Sequence, residues 1–162
     1  MAVKSAGRKP APEAELRSFI ESARFDPKDQ KLMLSVRTAV RKLFPAANEL
    51  AYNYNHAVVI AYSPSENGIE GIVSISLLAE GVRLYFTNGP KLPDPKRLLQ
   101  GSAKMVRFIQ LKSASDLAHP DVKALIDAAI DVASVPLPPR GKGSLIIKSG
   151  ATKARGKPKK KK

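Results

Sequence analysis

The chemically richest stretch of this chain is Tyr52-Asn53-Tyr54-Asn55-His56. An extended strand points successive side chains to opposite faces, so Tyr52, Tyr54 and His56 would share one side. Two phenols and an imidazole on one surface could hold a small ligand or stack on nucleobases. The plainer alternative has the tyrosine rings bordering a core, with the polar residues at its wet end. A further ligand-binding candidate is Lys104, which closes the longest irregular stretch, Asn88 to Lys104.

Other chemistry is thinly represented. The chain has no Cys and no Trp, which excludes disulfides, thiolate metal sites and cysteine nucleophiles. Its two histidines, His56 and His119, stand far apart and beside no acidic motif. Zinc sites usually need about four ligands rich in His or Cys, so no metal site is expected. His119 precedes Pro120 and reads as a helix-cap residue. There is no G-x-S-x-G elbow and no H-E-x-x-H. Gly141-Lys142-Gly143-Ser144 lacks the upstream glycine of a phosphate loop and follows the last helix of the body, so it reads as a flexible exit. Gly101-Ser102-Ala103-Lys104 reads as a turn whose amides could receive an anion. No catalytic residue and no cofactor is expected from these patterns.

Charge is a stronger clue. The 162 residues carry 28 Lys and Arg against 14 Asp and Glu, a formal net charge of +14. Residues 1–12 carry +3, residues 13–139 only +1, and residues 140–162 carry +10 without a single acid. Both ends are poor in branched aliphatic residues and cannot offset the entropy of ordering by burial. The organisation expected is therefore a disordered basic N-terminus (1–12), one domain (13–139) and a basic, largely disordered tail (140–162). Lys148, Lys153, Arg155, Lys157, Lys159, Lys160, Lys161 and Lys162 make that tail a polycation. It should bind DNA or RNA broadly and with strong salt dependence, without reading bases. The competing reading is a tail that only adds solubility. No stretch of about 18 apolar residues spans a membrane, and no signal segment is evident, so the expected compartment is the cytoplasm.

The elements that must position these residues follow from periodicity. Leu16, Phe19, Ile20 and Ala23 recur at helical spacing over 13–25. Asp26-Pro27 starts a second helix, with Leu32, Met33, Val36, Val40, Leu43 and Phe44 as its apolar stripe and Arg37, Arg41 and Lys42 in other directions. From Glu49 the period becomes two, giving one or two strands to Tyr62 with a bend near Tyr54-Asn55. Ile69 to Leu78 and Val82 to Phe86 make a hairpin through Ala79-Glu80-Gly81. Pro95 to Leu99 suggests one helical turn, Met105 to Leu111 another strand, and Pro120 to Ala133 a final helix ended by Pro136. The fold expected is α+β in two layers: an antiparallel sheet of about four to five strands with helices packed on one face. Its other face, carrying Ser74, Ser76, Arg83, Tyr85 and Thr87, should be solvated or used for binding.

One stretch is more specific than composition. Leu92-Pro93-Asp94-Pro95, then Leu98-Leu99-Gln100-Gly101-Ser102-Ala103-Lys104-Met105-Val106-Arg107-Phe108-Ile109 and Leu111-Lys112-Ser113, resembles the bacterial family known as domain of unknown function 1801, the YdhG-like proteins. The preceding Leu84-Tyr85-Phe86-Thr87-Asn88-Gly89, the lead-in from Val40 to Tyr54 and the helix from Val122 to Ala133 match the same pattern, which covers roughly residues 13–148. Ala103 stands where the family has glycine, and Asn53 or Asn55 where its Tyr-Gly is expected. The resemblance implies a two-layer α+β domain with an antiparallel sheet and largely unassigned activity. Some members are described as frataxin-like iron chaperones, a role that wants an acidic surface. No agreed catalytic residue carries over.

Two functions follow as expectations. The first is a small non-enzymatic domain that associates with nucleic acid through its basic tail. The alternative is a small-ligand or metal-binding domain, frataxin-like in the metal case, with its pocket near Tyr52, Tyr54, His56 and the 88–104 loop. An unrecognised enzyme is the remaining reading. An open sheet edge or polar sheet face could also pair with a second copy.

Overall fold

A computed structural model of the protein describes residues 11–150. The first helix, α1 (Pro12–Ile20), opens on a proline with Glu13 and Glu15 in its first turn and buries Leu16 and Ile20. Carboxylates there complement the positive end of the helix dipole. The helix stops at Ile20 instead of running to Phe25. The Gln30 side-chain amide donates to the carbonyls of Ser22 and Phe25 and ties the connection down in non-helical form.

Helix α2 (Pro27–Leu43) starts as its sequence dictates: the Asp26 carboxylate accepts from the Lys28 amide at 2.8 Å and Pro27 takes the first helical position. Met33, Val36 and Val40 are buried on its apolar stripe. Arg37, whose position lies off that stripe in the sequence pattern, is buried too, at 7 % exposure.

The strands are β1 (Asn48–Asn53), β2 (Ala57–Ser63), β3 (Val73–Leu78), β4 (Gly81–Phe86), β5 (Arg107–Leu111) and β6 (Leu145–Gly150). Among the described residues they form one six-stranded sheet in the order β5-β4-β3-β2-β1-β6. Five of them make an antiparallel meander. The expected four to five antiparallel strands are corrected on two points. A sixth strand joins the edge, and it runs parallel to β1, with Glu49 opposite Leu145 and Ala51 opposite Ile147. Leu145-Ile146-Ile147 lies in the stretch expected to be tail, so the folded domain extends beyond residue 139. Parallel pairing needs a long crossover, and residues 112–144, including α3 (Pro120–Asp131), carry the chain from the β5 edge to the β6 edge.

Smaller differences have local causes. Ile69 belongs to a 3-10 turn (Gly68–Glu70) initiated by the Asn67 side chain, so β3 begins only at Val73. The 95–99 stretch forms no helical turn. Asp94 accepts the Leu98 and Leu99 amides in a loop that places Arg97 at φ 54°. The β5 strand starts at Arg107, and α3 ends at Asp131, ahead of Pro136.

The layers match the α+β expectation. Val58, Ile60 and Tyr62 of β2, Val73, Ile75 and Leu77 of β3, and Val82, Leu84 and Phe86 of β4 share one sheet face with the buried residues of α1, α2 and α3 in one core. At about 25 cal/mol per Å² of apolar area, this face carries most of the stabilisation. Helix α2 packs on β3 and β4, and α1 on β6. Among the described residues, no α-helix packs on the opposite face, and the candidate site lies there.

Candidate functional site

The β1–β2 hairpin carries the aromatic candidates. Tyr54 and Ala57 exchange backbone hydrogen bonds of 2.8 and 3.4 Å, so Asn55-His56 is a two-residue turn. The bend expected near Tyr54-Asn55 is this turn. Arg24, from the α1–α2 connection, clamps it. Its guanidinium donates to the Tyr54 carbonyl at 2.6 Å, the Asn55 carbonyl at 3.1 Å and Asn53 Oδ1 at 2.8 Å. Three bonds from one planar cation fix the turn's orientation. The sequence gives no sign of this, because the partners lie about thirty residues away and two of them are backbone carbonyls.

Tyr52, Tyr54 and His56 do share one face. The Tyr52 and Tyr54 rings are parallel within 3°, with centroids 5.8 Å apart, and His56 continues the stack at 6.3 Å from Tyr54. They border a trough along the open sheet face, made of two adjoining cavities of about 650 and 350 Å³ that share Tyr54, Val59, Ser74 and Thr87. Tyr85 lines the second cavity, and its ring packs on Phe108 at 5.3 Å. Arg83 lies 4.2 Å over the Phe108 ring and donates to Gln110 at 2.9 Å. The polar face expected from Ser74, Ser76, Arg83, Tyr85 and Thr87 is thus concave as well as polar.

The 3-10 turn at Gly68–Glu70 closes one end. A Cβ on Gly68 would collide with the Tyr52 hydroxyl, so the phenol seats against bare backbone. Burial, with the neighbouring Tyr54, raises the Tyr52 pKa above its ordinary value. Ile69 projects from this turn at 85 % exposure. Lys148 of β6 also lines the trough, with Nζ 3.0 Å from the Glu66 carbonyl. Neither cavity is lined by an Asp or Glu.

Two groups of sequence candidates fare differently. Tyr52, Tyr54 and His56 come together, whereas Lys104 is exposed and lines neither cavity. Of the tail candidates, Lys148 sits in a strand. Lys153, Arg155, Lys157 and Lys159 to Lys162 lie outside the described residues. His119 caps α3, its Nδ1 accepting the Asp121 amide at 3.1 Å. Among the described residues, no group of three or more His, Asp or Glu is placed to hold a metal ion, and no helix is long and apolar enough to cross a membrane.

On the helix-covered face, a buried polar cluster escapes sequence reading altogether. Arg37 donates to both carboxylate oxygens of Glu49 (2.9 and 2.7 Å) and both of Glu13 (2.8 Å each), and the Tyr62 hydroxyl donates to Glu49 at 2.8 Å. Burial alone would lower the Arg37 pKa, but the bonds to Glu13 and Glu49 outweigh it and raise it. Four of the five Arg37 N–H groups are bonded within the cluster, and such pairing is what lets a buried polar network be tolerated. Compared with known proteins, the chain matches no family model, no curated protein and no solved structure.

Proposed function

We propose that this protein is a YdhG-like, non-enzymatic cytoplasmic domain that binds single-stranded nucleic acid across its open sheet face, with the basic C-terminal segment as an electrostatic tether. The observation that carries the reading is the trough itself, which combines an aromatic stack with an acid-free lining. Such a surface suits unstacked bases, which lie on aromatic rings whatever their sequence. Lys148 stands in this trough, and the run from Lys153 to Lys162 follows it within a few residues of sequence. Phosphates held by that segment would deliver bases to Tyr52, Tyr54 and His56.

A fluorescein-labelled oligothymidylate titrated across a salt series tests this. Deleting residues 151–162 should flatten the dependence of log K on log salt, by about 0.7 for each phosphate that is no longer neutralised. Tyr54→Ala should weaken binding about tenfold while leaving the slope unchanged, since stacking releases no counterions. Unchanged affinity in both variants would overturn the reading. If the deletion has no effect and a mononucleotide competes fully, the trough is a small-ligand pocket instead.

A further inference from the structure

A separate cavity, of about 270 Å³, lies on the other side of the sheet, where the end of α2, the start of β1 and the crossover segment meet. Its walls include Phe44, Pro45 and Ala47, and its mouth carries Arg41, Lys42 and Lys142. Glu49 is the one carboxylate in its lining. The Glu49 oxygens are already hydrogen-bonded by Arg37, which Glu49 shares with Glu13, and by the Tyr62 hydroxyl.

The three cations are not comparably engaged. Among the described residues, none of them donates a hydrogen bond to another protein group. Arg41 approaches Glu49 and Glu13 only at 3.6 and 3.9 Å, and no acid lies within ion-pair distance of Lys42 or Lys142. Two of the cations offset the negative end of the α2 dipole, but the third comes from a different element and is brought there by the backbone. The Gly143 amide donates to the Pro45 carbonyl at 2.9 Å. A Cβ on Gly143 would overlap the Ala47 carbonyl, so only glycine allows this approach. Ser144 then bonds Asn48, and Glu49 bonds Ser144, locking the segment to β1. Gly141, at φ 112°, turns the chain just before Lys142. Like charges convergent on a concave, apolar-walled site focus a positive potential.

We propose that this cavity binds a small phosphate-bearing molecule, with Arg41, Lys42 and Lys142 gripping the oxyanion by charge-assisted hydrogen bonds. The site is independent of the trough, since Glu49 and Tyr62 face the helices whereas Tyr52 and Val59 face away from them. A backbone phosphate of a bound strand offers the same chemistry, so the test separates the two sources.

Thermal unfolding of the full chain is followed with inorganic phosphate and phenyl phosphate, against chloride at equal ionic strength. Both phosphates should raise the midpoint by several degrees more than chloride does. The double variant Lys42→Ala/Lys142→Ala should lose that increment while retaining oligothymidylate affinity. Lys148→Ala should keep the increment. Both substitutions in the double variant are at exposed side chains, and its unliganded midpoint checks that it folds. An equal rise in chloride, or an undiminished phosphate increment in the double variant, overturns the proposal. Loss of oligothymidylate affinity in the double variant would assign the cations to strand binding and overturn it as well.

Discussion

Arg37 of α2 and Glu49 of β1 meet through two side-by-side hydrogen bonds, from Nε at 2.9 Å and Nη2 at 2.7 Å, beneath the first turn of α1. Both are nearly buried, at 7 % and 4 % exposure. A buried pair of this kind has a large desolvation cost that its mutual attraction offsets only when every hydrogen bond is made. Arg37→Met should therefore destabilise the fold by about 3 kcal/mol, because the buried Glu49 loses both close guanidinium hydrogen bonds and keeps only the Tyr62 hydroxyl and Arg41 at 3.6 Å. The double variant Arg37→Met/Glu49→Leu should be markedly more stable than Arg37→Met alone. Urea unfolding of the three proteins measures this, and a double variant no better than the single one would contradict it.

Tyr62 links this cluster to alkaline pH. Burial, then the Glu49 charge and hydrogen bond, raise the phenol pKa well above its ordinary value near 10. The folded state thus keeps a proton that the unfolded chain releases. The stability tied to that proton is complete below pH 10 and is lost as pH rises towards the folded-state pKa. Tyr62→Phe should lower stability at neutral pH through the missing bond to Glu49, yet flatten the decline above pH 10. Chemical denaturation at pH 8 and pH 11 tests the sign.

Glu13 acts at the opposite end of the pH scale. Its hydrogen bond to Arg37, opposed by partial burial and helped by the nearby charge, lowers its pKa. Its contribution is present above the unfolded-state pKa near 4.3 and is lost as pH falls through the lower folded value. Because the Glu13 side chain is more than half exposed, solvent screening keeps the effect small. Glu13→Gln should make acid unfolding slightly less steep below pH 4, as followed by circular dichroism.

The turn at Gly68 offers a test of the trough that spares its aromatic residues. Gly68→Ala must push the Tyr52 phenol aside. The displaced atom ends a side chain that can rotate, so stability should change by less than about 1 kcal/mol, as at a surface site. Oligothymidylate affinity should nevertheless fall several-fold. An unaltered affinity would remove Tyr52 from the binding surface.

Gly143→Ala meets backbone instead of side chain. The new methyl would overlap the Ala47 carbonyl, and relieving that overlap should cost about 1–3 kcal/mol, as overpacking does. The stabilisation by phosphate should shrink with it, because Lys142 shifts. Unfolding midpoints with and without phosphate separate the two effects.

Much of this architecture is written locally. The alternation from Tyr52 to His56 places three side chains on one face without knowledge of any other strand, and Ala79-Glu80-Gly81 marks the β3–β4 hairpin by turn chemistry alone. The cap at Asp26 and the Pro120 start of α3 are equally short-range. What was illegible depends on distance along the chain. Leu145-Ile146-Ile147 has the β-branched character of a strand, yet its partner β1 lies far upstream and the surrounding charge resembles a tail. Arg37 looks like a solvated position of an amphipathic helix, since only β1 and α1 together bury it. Arg24 reaches the β1–β2 turn, and Lys148 the trough, through tertiary contacts that no spacing encodes.

The parallel seam between β1 and β6 also sets an order of assembly. Each strand from β1 to β5 pairs with its sequence neighbour, so the meander grows by closing connections far shorter than the one to β6, the longest being residues 87–106. The last seam joins Ser144 to Asn48 across 96 residues, a closure that is entropically slower and rewarded only once complete. The β1 edge is therefore the final one to be covered during folding and the first to be bared when the domain breathes. Amides of β6 should exchange with deuterium ahead of those in β2 and β3, and release of this seam would loosen Lys142 and Lys148 together, one on each side of the sheet.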